Sequence, residues 1–105
     1  MNYIIVLMTA ANRNEAKNII RILLEEKLIA CANMIEGISS FFWWKEKIDE
    51  EKEVLVLMKS SKDKFEKLSK RVIELHSYEV PEILSIPIVN GSSTYMDWMK
   101  SVLIQ

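Results

Sequence analysis

Cysteine, histidine, proline and glycine are nearly missing from this chain. Of its 105 residues, one is Cys, one is His, two are Pro and two are Gly. A single Cys31 cannot close an internal disulfide, so the fold must rest on its core, and a reducing compartment suits it. The scarcity of Gly and Pro excludes a collagenous or low-complexity chain. One His and one Cys leave no paired spacing of the kind that builds a zinc site. Neither sign of charge dominates: 14 basic residues face 15 acidic ones, a formal net charge of -1. That balance speaks against a general nucleic-acid binder, whose footprint is basic. No apolar run is long enough to span a membrane. The N-terminal run Tyr3 to Met8 is short and lacks the basic lead of a signal peptide. There is no Gly-rich phosphate loop, no cysteine pair and no G-x-S-x-G. The expectation is one cytoplasmic domain, spanning residues 1–105, with enough apolar residues for a core.

What is present begins with that run, "YIIVLM", a continuous apolar stretch that reads as a strand covered on both faces. Asn12 and Glu15 have capping-box spacing, and Ala16, Ile19, Ile20, Leu23 and Leu24 recur at helical spacing, so a helix is expected over about Arg13–Lys27. "LIACANMIEGISSFFWWK" reads as one long strand from Ile29, with Gly37 marking a bulge or bend. Lys45 and Glu46 then make a two-residue turn that pairs Trp44 with Lys47 and Trp43 with Ile48. The same hairpin sets Val54–Met58 opposite Met34–Ile38, within a register slip. A second helix, capped by Ser60 or Ser61, buries Phe65, Leu68, Val72 and Leu75 and turns its lysines to water. "VPEILSIPIV", with Pro81 and Pro87, suits an edge strand. A short C-terminal helix carries a capping signal at Thr94 and Asp97 and places Tyr95, Trp98, Met99 and Val102 on one face.

This order predicts an α+β, ferredoxin-like βαββαβ antiparallel sheet with an extended β-hairpin and a C-terminal helix. Right-handed crossovers place the first and third strands side by side at its centre. The hairpin is too long for the domain. From Ile29 to Trp44 it runs about 50 Å at about 3.3 Å per residue. A chain of this size has a radius of gyration of about 13 Å. The tip therefore projects, with Phe42 and Trp44 on one side and Phe41 and Trp43 on the other. One subunit cannot cover both sides, and a bare two-stranded ribbon is marginal in water. The expectation is a homo-oligomer.

The motifs "VLMTA", "LIACANMIEGISSFFWWKEKI", "EVLVLMKS", "LHSYEVPEI" and "YMDWM", in this order and spacing, resemble the CutA, or divalent-cation-tolerance, family over nearly the whole chain. The resemblance implies a homotrimer in which the long strands and the C-terminal region, here Phe41, Phe42, Trp43, Trp44 and Trp98, join subunits. It also implies a link to copper or other divalent metals, and no catalysis. The chain departs from the pattern at several places: Met8 stands where the family often has Cys, Ala11 near a family Pro, Glu36 at a Pro, Glu46 at a turn Gly, and Ser77 inside a His-Pro-Tyr motif. The Cys replaced by Met8 is one of the proposed metal ligands. His76 matches another, with Glu79 as the near carboxylate.

His76 reads in two ways. Imidazole with Glu79 and Glu82 can take copper or zinc, or the ring can simply bond the last carbonyls of the helix. Antiparallel strands are expected to keep Met8 away from His76, which leaves the hard oxygens of Glu79 and Glu82 as the nearer partners, and such a mixed site is expected to bind no tighter than about micromolar. Thr9, Lys59, Tyr78 and Glu82 are placed in a cleft between subunits, where Lys59 and Glu82 can pair and where a small molecule or anion fits. Cys31 reads as a small buried hydrophobe. The competing functions are a trimeric small-molecule-binding signalling module of the nitrogen-regulatory type, a scaffold, an RNA-recognition domain and an acylphosphatase-like hydrolase. The RNA-recognition domain lacks its stacking aromatics on "EVLVLMKS". The hydrolase lacks an anion-cradling loop, since "TAANRN" offers only Arg13.

Overall fold

In the computed structural model, which describes residues 2–104, the elements run β1 (Tyr3–Ala10), α1 (Arg13–Glu25), β2 (Cys31–Trp44), β3 (Lys47–Ser61), α2 (Phe65–Leu75), β4 (Ile83–Pro87) and α3 (Ser93–Leu103). The sheet order is β2-β3-β1-β4, and every neighbouring pair is antiparallel. This is the expected ferredoxin-like arrangement with β1 and β3 central. Both helices lie on one face. Ile4, Val6 and Met8 of β1 and Val54, Val56 and Met58 of β3 are buried with Ala16, Ile19 and Leu23 of α1 and with Leu68 and Val72 of α2. Phe65 and Leu75 pack against the same cluster. Each such side chain contributes about 1.5–3 kcal/mol when fully buried.

The opposite face is left open. Ile5 and Leu7 of β1 are only half-buried, and Ile35, Leu84 and Ile86 beside them are exposed. The continuous apolar run of β1 was expected to be covered on both sides; within one chain only the helix side is. Alternation along a strand sends every second residue to each face, and none of the described elements covers Ile35, Leu84 and Ile86 on the second face. α3 closes one end, where Met99 and Leu103 pack with Ala30 and Tyr3.

The hairpin forms in the expected register, with Trp44 opposite Lys47 and Trp43 opposite Ile48. Lys45 and Glu46 both have positive φ, 50° and 67°, as a type I′ turn requires even without Asn-Gly. The register shifts between Ile35 and Ile38, where Gly37 takes φ 74°. One extra residue there forms the bulge, and it moves the partners of Val56 and Met58 to Met34 and Ala32. β2 begins at Cys31 rather than Ile29, and its 14 residues still span about 46 Å, matching a longest dimension of 44 Å. Of β3, only Val54–Ser61 pairs with β1, so Ser39–Trp44 and Lys47–Lys52 project as a two-stranded ribbon. Its two sides are unequal. Phe41, Trp43 and Ile48 are 67, 72 and 68 % exposed, against 38 % for both Phe42 and Trp44.

Several local expectations change. α1 stops at Glu25, because Lys27 turns left-handed at φ 59°. Ser60 and Ser61 do not cap α2; both are buried at the end of β3, and a 3-10 turn, Lys62–Lys64, intervenes. The Ser60 hydroxyl instead donates to the Leu28 carbonyl at 2.7 Å. Thr94 and Asp97 lie inside α3, whose cap position is Ser92.

Candidate functional site

The largest convergence of polar groups lies where β1 ends, α1 begins and the chain leaves α2. Asn12 caps α1 by accepting from the Glu15 amide at 2.9 Å. That fixes the first turn and turns the Glu15 carboxylate back over it. One Glu15 oxygen accepts from the Ala11 amide at 3.2 Å, the other from the Ser77 amide at 2.7 Å. Burial pushes the Glu15 carboxyl up, but the hydrogen bonds from Ser77 and Ala11 outweigh it and hold the group below its ordinary value.

His76 follows the last residue of α2, and its side chain is fully buried. Its Nε2 lies 2.7 Å from the Thr9 carbonyl, which can only accept, so Nε2 carries the proton and donates. Its Nδ1 accepts from the Tyr78 amide at 3.1 Å. The ring is therefore a neutral imidazole with both nitrogens occupied. The Tyr78 ring tilts against it, with centroids 4.6 Å apart. The Tyr78 hydroxyl donates to Glu53 at 2.6 Å, and Glu53 is itself only 6 % exposed. Burial, that bond and the charges of Glu53, Glu15 and Glu51 push the phenol well above its ordinary value.

The structure thus joins Thr9, His76 and Tyr78, three of the residues singled out in the sequence, and adds Glu15 and Glu53. Glu15 was legible as a helix cap but not as a partner of Ser77. Glu53 had no signal beyond its place in a charged run. The other candidates lie elsewhere. Antiparallel pairing sets Met8 opposite Ile83, so the end of β1 meets the start of β4. The expectation that antiparallel strands separate Met8 from the His76 end of the sheet is thus reversed. Yet the Met8 side chain is completely buried in the helix-side core, and only the next residue's carbonyl reaches His76. Glu79 and Glu82 are exposed and have no hydrogen bond or ion pair among the described residues. Within one chain Lys59 is not paired with Glu82. It lies opposite Ile5 and Cys31, four strand positions from Leu55, the partner of Thr9, and its ammonium donates to the Asn33 side chain. Trp98 is exposed on α3, packed against Tyr95 at 5.4 Å between ring centroids. Cys31 is half-buried, with its sulfur 3.2 Å from the Tyr95 hydroxyl.

The set Met8, His76 and Glu79 does not fit a resident metal. The thioether is sealed in the core, both imidazole nitrogens are used, and the carboxylate points to water. Among the described residues no three His, Cys, Asp or Glu side chains are grouped to hold an ion. As a base, His76 would first have to give up the Tyr78 amide.

The sequence profile of the CutA1 divalent ion tolerance protein matches residues 4–102. The Thermus thermophilus "Divalent-cation tolerance protein CutA" is 40% identical over 96 residues, covering 91% of this chain and 93% of that protein. "Protein CutA, chloroplastic" of Arabidopsis thaliana is 36% identical over 98 residues; these are 93% of this chain but 54% of that protein, so the chain spans about half its length. Among solved structures, the "Periplasmic divalent cation tolerance protein CutA" of Archaeoglobus fulgidus superposes with a TM-score of 0.93 at 37% identity, over 96% of this chain and 98% of that one.

Proposed function

The chain belongs to the CutA1 divalent ion tolerance family, and from that premise we propose that it acts as a non-catalytic homotrimer in the response to divalent cations, meeting copper or a similar ion weakly rather than holding it. The observation that carries this reading is the uncovered apolar face of the sheet, continuous in the chain with an aromatic ribbon. Ile35, Leu84 and Ile86 on the face and Phe41, Trp43 and Ile48 on the ribbon are all exposed. Such surface in one subunit calls for burial against another. The sheet also keeps two open edges, β2 and β4, on opposite sides. Edges that differ in this way suit head-to-tail contacts, which close into a ring where the rotation between copies permits it. Three is the number that the family resemblance implies.

Weak metal contact follows from the site. To coordinate copper, His76 must release the Thr9 carbonyl or the Tyr78 amide, so part of the binding free energy is lost to that opening. The absence of catalysis is supported by the same occupancy: among the described residues the one imidazole has both nitrogens engaged by backbone groups and no nucleophile is bonded to it. No described helix is long and apolar enough to cross a membrane, and the cytoplasm is the proposed location, although relatives are named chloroplastic and periplasmic. Light scattering at micromolar concentration tests the assembly. A trimeric mass is expected, and a monomeric mass refutes the proposal.

A further inference from the structure

Lys59 is out of place on the open face. In the rows where β1, β2, β3 and β4 are paired, that face carries Ile5, Leu7, Ile35, Leu55, Leu57, Leu84 and Ile86. Among the described residues Lys59 is the one cationic side chain there. It sits directly between Ile5 of β1 and Cys31 of β2. Among the described residues its one partner is a neutral acceptor, the Asn33 amide oxygen, and no carboxylate of theirs lies within ion-pair distance. An ammonium has three donors, so two remain. Further donors lie toward the neighbouring strand: Asn33 on β2 and, through Cys31 opposite Lys59, Tyr95 of α3. The Asn33 amide nitrogen is unused, and one proton of the Cys31–Tyr95 contact is free to turn outward, because a thiol and a hydroxyl at 3.2 Å need only one of their two hydrogens.

We propose that this corner, Lys59 with Asn33 and Tyr95, binds a small oxyanion of the phosphate or carboxylate class where the open face is closed by other copies of the chain. The inference rests on the trimer reading above. Closing an apolar face over an ammonium that has one neutral acceptor leaves a desolvated charge, which is far costlier than leaving it in water. A cluster of donors without an acid resolves that cost when an anion enters. The anion has two possible sources: a free ion, as proposed, or a carboxylate side chain of the neighbouring copy.

Calorimetric titration of the full chain with inorganic phosphate, at fixed ionic strength set by chloride and alongside light scattering, separates them. Saturable binding to the wild type is expected, at least tenfold weaker in Lys59→Gln and retained in Lys59→Arg. Equal phosphate affinity in the wild type and Lys59→Gln overturns the proposal. So does a wild type indifferent to phosphate whose Lys59→Gln variant dissociates, since the neighbour's carboxylate then occupies the corner. If Lys59→Gln fails to fold, loss of phosphate binding in Lys59→Arg overturns it instead. A monomeric wild type that binds phosphate through Lys59 refutes the trimer and keeps the site; a monomer that does not bind refutes both.

Discussion

Replacing His76 by Ala decides whether this ring is a ligand or a strut. The imidazole holds the Thr9 carbonyl at 2.7 Å and accepts the Tyr78 amide at 3.1 Å, and its side chain is fully buried. Truncation leaves both backbone groups without a partner. An orphaned buried group costs about 1–3 kcal/mol. The Thr9 carbonyl sits at the upper end because Thr9 is buried, and the half-buried Tyr78 amide sits at the lower end because water reaches it. Together with the lost ring contact to Tyr78, the expected destabilisation is about 4 kcal/mol. Urea unfolding at fixed protein concentration reads it as a fall in midpoint of roughly 2 M, taking a slope of about 2 kcal/mol per M. His76→Gln should recover part of the loss, because its amide N–H reaches toward the same carbonyl. If His76→Ala unfolds within about 0.5 kcal/mol of the wild type while copper binding by calorimetry disappears, the ring is a ligand and the hydrogen-bonded account fails.

Three further outcomes follow from the same geometry. Replacing Trp43 and Trp44 together by Ser should shift the oligomer toward monomer or aggregate, since buried interface aromatics are worth about 2 kcal/mol or more each; an unchanged mass by light scattering at micromolar concentration would place the contact elsewhere. Tyr78→Phe removes the one donor that the described residues give the buried Glu53 carboxylate and should lower stability by about 2 kcal/mol in urea unfolding; a shift under about 0.5 kcal/mol would show that water replaces the phenol. Glu15, whose folded value lies below the ordinary 4.5, contributes stability that is present above 4.5 and lost as pH falls through that lower value; urea midpoints between pH 7 and 3 should therefore fall less steeply in Glu15→Gln, and parallel curves would refute the linkage.

The fold was legible because periodicity carries it. The alternating and helical apolar patterns gave the element order, and the hairpin register followed from one turn and one glycine. Element ends were less legible. Ser60 and Ser61 have the chemistry of caps, yet both are buried at the end of a strand, and tertiary packing overrode the local preference. The polar corner was half legible. His76 and Tyr78 stood out as chemistry-bearing residues, but Glu15 and Glu53 join them from 61 and 23 positions upstream of His76. No local pattern predicts such a meeting; it exists only once β1 and β3 are paired.

The relation of Met8 to His76 shows where sequence reasoning lost the site. In an antiparallel pair the end of one strand lies beside the start of the next, so β1 delivers its last residues to the start of β4, and with them to the segment that leaves α2. The chain direction therefore brings Met8 close in backbone terms. Side-chain alternation then sends its thioether to the helix side, into the core, while the Thr9 carbonyl reaches the imidazole. A cysteine at position 8 would enter the same helix-side core, beside Val56. Changing the residue type at position 8 cannot by itself give His76 a sulfur partner within one subunit. Any site that uses both must draw its second ligand from another copy of the chain or unseat His76 from Thr9, and unseating it carries the same orphaned-carbonyl cost that His76→Ala would reveal.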